Sequence, residues 1–270
     1  MKSSASAPAA SVLQPREAAL SPGPGLFISF EGGDGVGKTT QIELLSTLLV
    51  AARLDYLRTR EPGGTELGAK IRELLLHGGQ VSPRAEALLY AADRAHHVAT
   101  VVRPALARGQ VVLTDRFLDS SIAYQGAARA LGTREVRDLS LWAADGLLPD
   151  LTILLYADTA VTGRRTDARG RRDRLEREPG AFHAALRDQF RVLARQEPER
   201  IKVVDADQPV DVVFSHVIRL VEYLIAERGA GLHLVRGGSD GDADTEREHE
   251  PGSRTPLEAF RAAVSRRRGR

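Results

Sequence analysis

Gly32, Gly37, Lys38 and Thr39 stand in the spacing Gly-x-x-x-x-Gly-Lys-Thr within LFISFEGGDGVGKTT, residues 26–40. Residues of these types at this spacing can hold a polyphosphate. Glycine has no Cβ, so phosphate oxygens can come close to backbone N–H groups. A helix starting at the end of the loop adds exposed donors and a partial positive charge. Lys38 can reach the outer phosphates, and the Thr39 hydroxyl suits Mg²⁺. Lys38 is one of only four lysines in the chain, and a slim point charge fits there where a guanidinium would crowd.

Three further groups carry candidate chemistry. Tyr90 and Arg94 are four apart in a helical pattern, so they share a face. They read either as an aromatic platform with a guanidinium for a planar base, or as a ring packed on an arginine stem. Asp115 closes the apolar run Val111–Thr114, and Arg116 follows it. A carboxylate at the end of a strand downstream of a phosphate loop is a candidate for the Mg²⁺ side of a site. Arg116 beside it could grip a phosphate through two parallel N–H bonds, or the pair could be a strand-end salt bridge. Ser120, Ser121, Tyr124, Gln125 and Gly126 follow, rich in hydrogen-bonding groups. Finally, residues 164–177, RRTDARGRRDRLER, hold seven arginines in fourteen positions. The chain prefers arginine to lysine throughout, but this density exceeds that background. A solvated helix face is the plain reading. A lid whose arginines close over phosphates and offset the charge of phosphoryl transfer is the sharper one.

Strands and helices in alternation must position these groups. Leu26, Phe27, Ile28 and Phe30 form a short buried strand, and Ile42, Leu45, Leu48, Leu49 and Ala52 mark the helix after the loop. Tyr56–Arg60 is a second strand ending at the turn signal Pro62-Gly63-Gly64. A short helix runs from about Glu66 to Leu76. Ser82 as N-cap and Pro83 at N1 open a long helix expected to run to about Val102 and stop before Pro104. Further strands are expected at 111–116, 151–156 and 201–204, and further helices at 134–145, 182–196 and 209–227. The alternation predicts an α/β fold, a P-loop NTPase-type parallel sheet of about five strands with helices on both faces. One domain should cover residues 26–228, with the lid at about 163–177. Residues 1–25 are rich in Ser, Ala and Pro, and residues 229–270 are first acidic, then basic; both are expected to be disordered.

Composition excludes several classes. There is no cysteine, hence no disulfide and no thiolate metal site. No apolar run approaches the roughly 18 residues of a membrane span. A formal charge of +2 gives no case for a nucleic-acid partner. His96 and His97 are adjacent, so on a helix they diverge by about 100°, and the histidines read as ordinary. The expected compartment is the cytoplasm.

Four stretches besides the loop together resemble bacterial thymidylate kinase. They are Arg60-Glu61-Pro62-Gly63-Gly64-Thr65, Tyr90 to Arg94, Asp115-Arg116-Phe117 through Gly126, and Arg169-Gly170-Arg171-Arg172-Asp173-Arg174-Leu175-Glu176. The resemblance covers about residues 26–225. It implies transfer of the ATP γ-phosphate to dTMP, giving dTDP and ADP for dTTP biosynthesis, with Mg²⁺ on Thr39 and Asp115. It implies an ATP site on Gly32, Gly33, Asp34, Gly35, Val36, Gly37, Lys38, Thr39 and Thr40, supported by Arg165 and Arg174. For dTMP it implies Asp34 near the sugar 3′-hydroxyl, Tyr90 stacked on thymine, Arg94 on a base carbonyl and Arg116 on the monophosphate. Arg60 and Pro62 would line the acceptor side, Ser120, Ser121 and Gln125 would join it, and Tyr124 would crowd the 2′ position. The catalytic set would be Lys38, Asp115, Arg116 and the lid arginine Arg169.

Gly35 stands where some members carry a loop arginine; members without it supply lid arginines, as this chain does. Two departures matter. Tyr90 replaces the usual phenylalanine and adds a hydroxyl that needs a partner. Ser121 occupies a variable position, which leaves selectivity against dUMP or dCMP open. The family resemblance also suggests a homodimer through the long helices. The alternatives are another nucleoside-monophosphate kinase on the same scaffold, or a nucleotide switch with no small-molecule acceptor. The set Tyr90, Arg94, Arg116 and Tyr124 argues against the switch.

Overall fold

Every residue of Leu26–Glu31 (β1) is buried, as a strand covered on both faces requires. In a computed structural model, which describes residues 25–157, 173–228 and 232, β1 is the centre of a five-stranded sheet. Its partners are Tyr56–Arg60 (β2), Val111–Asp115 (β3), Leu151–Tyr156 (β4) and Ile201–Asp205 (β5). The order is β2-β3-β1-β4-β5 and every pairing is parallel. The chain adds β2 and β3 on one side of β1, then crosses to build β4 and β5 on the other. Such a reversal opens a crevice beyond the carboxyl ends of the strands. The register puts Phe30 of β1 and Arg60 of β2 both opposite Asp115 of β3, so these ends share one rim.

Helices cover both faces. Ile28 and Phe30 point into one core, with Lys38–Ala51 (α1) and the C-terminal helix; Phe27 points into the other. That split follows from the period of two along a strand. Among the described residues the remaining α-helices are Glu66–Leu76 (α2), Pro83–His97 (α3), Arg103–Ala107 (α4), Leu118–Ser121 (α5), Thr133–Ala143 (α6), Gly180–Gln196 (α7) and Val210–Arg228 (α8).

The long helix departs from expectation. It does not stop before Pro104 but continues through a π-helical turn, Val98–Val102, into α4. The Arg103 N–H donates to Val98 O, five residues back. The widened register absorbs the donor that proline lacks and relieves the clash that an α-helix would impose. Ser82 does sit at the N-cap of α3, yet its side chain makes no capping bond there. The polar stretch from Ser120 is helical as well: α5 runs directly into a second π-helical segment, Ile122–Ala128. Residues 1–24, most of the expected lid and nearly all of the expected C-terminal tail lie outside the described residues.

Candidate active site

The loop between β1 and α1 is shaped by Gly32. Its φ is +128°, and a Cβ there would lie 2.3 Å from Leu155 O on β4. Gly37, left-handed at φ 99°, hands the chain to α1, whose first turn carries no acidic residue. The positive end of the helix therefore faces the loop unopposed. Lys38 folds back, its Nζ donating to Gly32 O at 3.1 Å and Gly33 O at 2.8 Å. Burial lowers its pKa to about 8, with Arg116 adding to the effect while Asp115, Asp34 and Glu31 oppose it. Thr39 Oγ1 lies 3.4 Å from Asp115 Oδ2. A hydroxyl and a carboxylate side by side match a hard cation that takes oxygen ligands and keeps phosphate and water for the rest. Among the described residues no cluster of three or more His, Cys, Asp or Glu could cage a metal by itself.

Arg116, just past β3, has a left-handed backbone at φ 69°. Its Nη1 donates to Gly32 O at 2.8 Å and to Ser120 Oγ at 3.0 Å, and its Nη2 to Asp34 Oδ1 at 2.5 Å. The guanidinium also stands 5.0 Å from the centre of the Tyr124 ring. Tyr124 Oη donates to the other Asp34 oxygen at 3.0 Å. Burial would raise the Asp34 pKa, but Arg116, Lys38 and the Tyr124 hydroxyl outweigh it and hold the carboxyl at about 2. Asp34 is thus an anion at neutral pH.

Arg94 is 1% exposed. Its Nε donates to Glu61 Oε2 at 2.9 Å, its Nη1 to Ser140 Oγ at 3.1 Å and its Nη2 to Ser121 Oγ at 3.0 Å. Glu61 is clamped from the other side by His97 Nδ1 at 2.9 Å, and His97 Nε2 pairs with Thr59 Oγ1 at 2.7 Å. One turn before Tyr90 on α3, buried Glu86 gathers Gln125, Arg129 and Arg174. Burial, and Glu86 nearby, push the Tyr90 hydroxyl well above its usual pKa, so it stays neutral.

These side chains line two cavities. One is bounded by Asp34, Pro62, Tyr90, Arg94, Ser120, Ser121, Tyr124 and Gln125 among others. The second, which is larger, lies along the loop against Gly35, Gly37, Lys38, Thr39, Thr40, Arg60 and Asp115. They meet at a seam of Asp34, Glu61, Arg72, Arg116 and Asp173, which line both. A third opens beside the loop between Val36, Thr40 and Gln41 on one side and Gln208, Val210 and Val213 on the other.

Most of the residues singled out in the sequence therefore converge. Arg174 does not go where expected. Instead of the phosphate loop it reaches α2 and α3, with Nε on Leu75 O at 2.8 Å and Nη2 on Glu86 Oε2 at 2.5 Å. The cause is Glu86, fully buried and in need of positive partners. Arg165 and Arg169 lie outside the described residues. Four residues that sequence reasoning passed over line or brace the site. Arg72 enters the seam and donates to Pro62 O at 3.0 Å; its stem packs on Gly63, where a Cβ would lie 3.0 Å from Arg72 Cδ. Glu61 and Glu86 are the buried carboxylates that aim Arg94 and Gln125. Glu31 ends a strand of mostly apolar residues and is 0% exposed, an unusual place for a carboxylate.

A cavity along a phosphate loop that shares two arginines with a smaller cavity for a ring and a phosphate suits one job, passing a phosphoryl group between two nucleotides. The class is that of the P-loop nucleotide kinases. A family profile described as thymidylate kinase matches residues 30–217, and the chain belongs to that family. It is 62% identical over 196 residues to a thymidylate kinase of Leifsonia xyli subsp. xyli, covering 72% of this chain and 93% of the relative. It is 59% identical over 204 residues to one of Clavibacter sepedonicus, covering 75% and 97%. The crystal structure of thymidylate kinase from Ehrlichia chaffeensis superposes with a TM-score of 0.61 at 31% identity, covering 74% of this chain and 99% of that one.

Proposed function

We propose that the chain carries out its family's reaction across the Arg72–Arg116 seam, transferring the γ-phosphoryl group of ATP to dTMP to give dTDP and ADP. The observation that carries this reading is Arg116. It is bonded at once to a carbonyl of the phosphate loop and to Asp34, so a phosphate held there faces the outer phosphates held by Lys38.

ATP lies with its phosphates along Gly32–Thr40 and its base in the cavity between Gln41 and Val210. dTMP lies with its phosphate at Arg116, Arg72 and Arg60, its sugar at Asp34 and Tyr124, and its base between Tyr90 and Arg94. Asp34 is anionic and accepts from Tyr124 and Arg116, which suits it to accept also from a sugar 3′-hydroxyl. Pro62, Ser120, Ser121 and Gln125 complete the wall. An oxygen of the dTMP phosphate attacks the γ-phosphorus in line. The bond from that phosphorus to the β,γ-bridging oxygen breaks, and ADP leaves with the electron pair. No covalent enzyme intermediate is needed; positioning and positive charge supply the rate. Thr39 and Asp115 would hold Mg²⁺, which when bound neutralises charge on the β- and γ-oxygens. Arg169, with Arg165, is assigned to the lid that closes over the transferred group. Arg174 is reassigned to anchoring the lid's end against Glu86.

The chain is further read as a cytoplasmic homodimer, on family resemblance. Leu88 on α3 and Trp142 on α6 are exposed apolar side chains, the latter 81% exposed, that self-association could cover. No helix among the described residues is long and apolar enough to cross a membrane. The reading is tested by assaying dTMP, dUMP, dCMP, AMP and GMP side by side. It requires the highest kcat/KM for dTMP, and a purine monophosphate as best acceptor would overturn it.

A further inference from the structure

Glu31 makes no contact with either cavity, yet it touches both halves of the site. It is the last residue of β1 and leads directly into the phosphate loop. Its side chain crosses to the turn after β3, where Oε1 accepts the Phe117 N–H at 2.8 Å and Oε2 accepts the Ser120 hydroxyl. Those two bonds bracket Arg116. The Phe117 N–H is the next backbone donor after Arg116, and Ser120 Oγ accepts from Arg116 Nη1 at 3.0 Å. Arg116 also holds a left-handed backbone, a conformation that a side-chain-bearing residue keeps only where its surroundings impose it. Burying a carboxylate is costly, so at a position where an apolar residue would suit the strand, this one has a local reason to be there.

We infer that Glu31 is a positioning residue for the acceptor phosphate, fixing Arg116 through the Phe117 amide and the Ser120 hydroxyl. The inference rests on the assignment of Arg116 to the dTMP phosphate. It makes β1 the common reference for both substrates, since the strand that ends in the ATP loop also sets the grip on dTMP. Three charged groups face Glu31. Asp119 on α5 adds to the effect of burial in raising its pKa to about 8, and Arg116 opposes; Lys38 on α1 lies within electrostatic reach. Bond geometry is what Glu31 contributes.

Steady-state kinetics on Glu31→Leu, Glu31→Gln and Arg116→Ala test this. Each variant is first checked for the wild-type circular dichroism spectrum and a cooperative melt. Arg116→Ala should raise the KM for dTMP at least tenfold with the KM for ATP little changed. Glu31→Leu should do the same, by about tenfold, although it touches no substrate. Glu31→Gln retains an oxygen for the Phe117 N–H and a polar group for Ser120, so it should keep its dTMP KM within about threefold of wild type. Partial misfolding lowers kcat through loss of active protein and leaves KM alone, so the split between the two KM values is the readout. A Glu31→Leu enzyme with wild-type dTMP KM, beside an Arg116→Ala enzyme with a raised one, overturns the inference and leaves the acceptor assignment standing. An unchanged dTMP KM in Arg116→Ala overturns the assignment itself.

Discussion

Arg116 and Asp34 form an ion pair of 2.5 Å between the turn after β3 and the loop after β1. The two residues come from different turns of the chain, and both line the seam where the two cavities meet. With Tyr124 donating to the second Asp34 oxygen, the aspartate is oriented from both sides, at the edge of the acceptor cavity it lines.

Tyr124→Phe removes only that hydroxyl. A hydrogen bond of this kind contributes about 1 kcal/mol, so dTMP should bind about fivefold more weakly and ATP unchanged. The Asp34 pKa should rise from about 2, which carboxyl NMR titration would reveal. Tyr124→Gly should improve use of ribonucleotide acceptors by making room at the 2′ position. If it does not, the ring is not what excludes them.

Lys38 yields a pH prediction. Burial lowers its pKa from 10.5 to about 8. Between those values the unfolded chain holds the proton and the ligand-free fold does not, so stability from this group rises with pH across that window. ATP phosphates beside the ammonium reverse the shift. At pH 9, binding of ATP should therefore take up a proton, seen by calorimetry in two buffers of different ionisation enthalpy. Lys38→Met should abolish the uptake; equal uptake in that variant would assign the proton elsewhere.

Arg94→Ala should be costly to the fold as well as to binding. Arg94 and Glu61 are each 1% exposed in their side chains, and removing one partner of a buried pair costs about 3 kcal/mol or more. Urea unfolding should show the loss, and a change under about 1 kcal/mol would mean that His97 alone suffices to compensate Glu61. Arg94→Lys should not restore dTMP affinity, because an ammonium cannot match the fork that reaches Glu61, Ser121 and Ser140.

Arg169→Ala should lower kcat by about 10³-fold, as loss of an arginine finger does, with a modest change in ATP affinity. Arg174→Ala should act differently. It frees the lid's end from Glu86 and should raise the dTMP KM more than it lowers kcat. The reverse pattern in the two variants would restore Arg174 to the ATP side.

The sheet was legible because its strands are short apolar runs bounded by turn signals, and period and punctuation are local properties. The continuation through Pro104 was not, because a change of helical register leaves no mark in a pattern of residue types. The helix at Ser120–Gly126 was hidden for a related reason: its polar side chains point into the site, so they mimic a loop. The phosphate loop could be read from type and spacing, Tyr90 and Arg116 could be singled out as candidates that way, and the place of Tyr124 came only with the family resemblance. Glu31, Glu61 and Glu86 could not, since each finds its partners far along the chain, 86 residues away for Glu31 and Phe117 and 39 for Glu86 and Gln125. His97 was read as ordinary, yet it clamps the carboxylate that aims Arg94.

Release of ADP from ATP and Mg²⁺, measured with and without dTMP, tests the central claim most directly. The account predicts that dTMP accelerates release by orders of magnitude, with one dTDP formed for each ADP. Slow ADP release at the same rate in both conditions, with no dTDP, would contradict it.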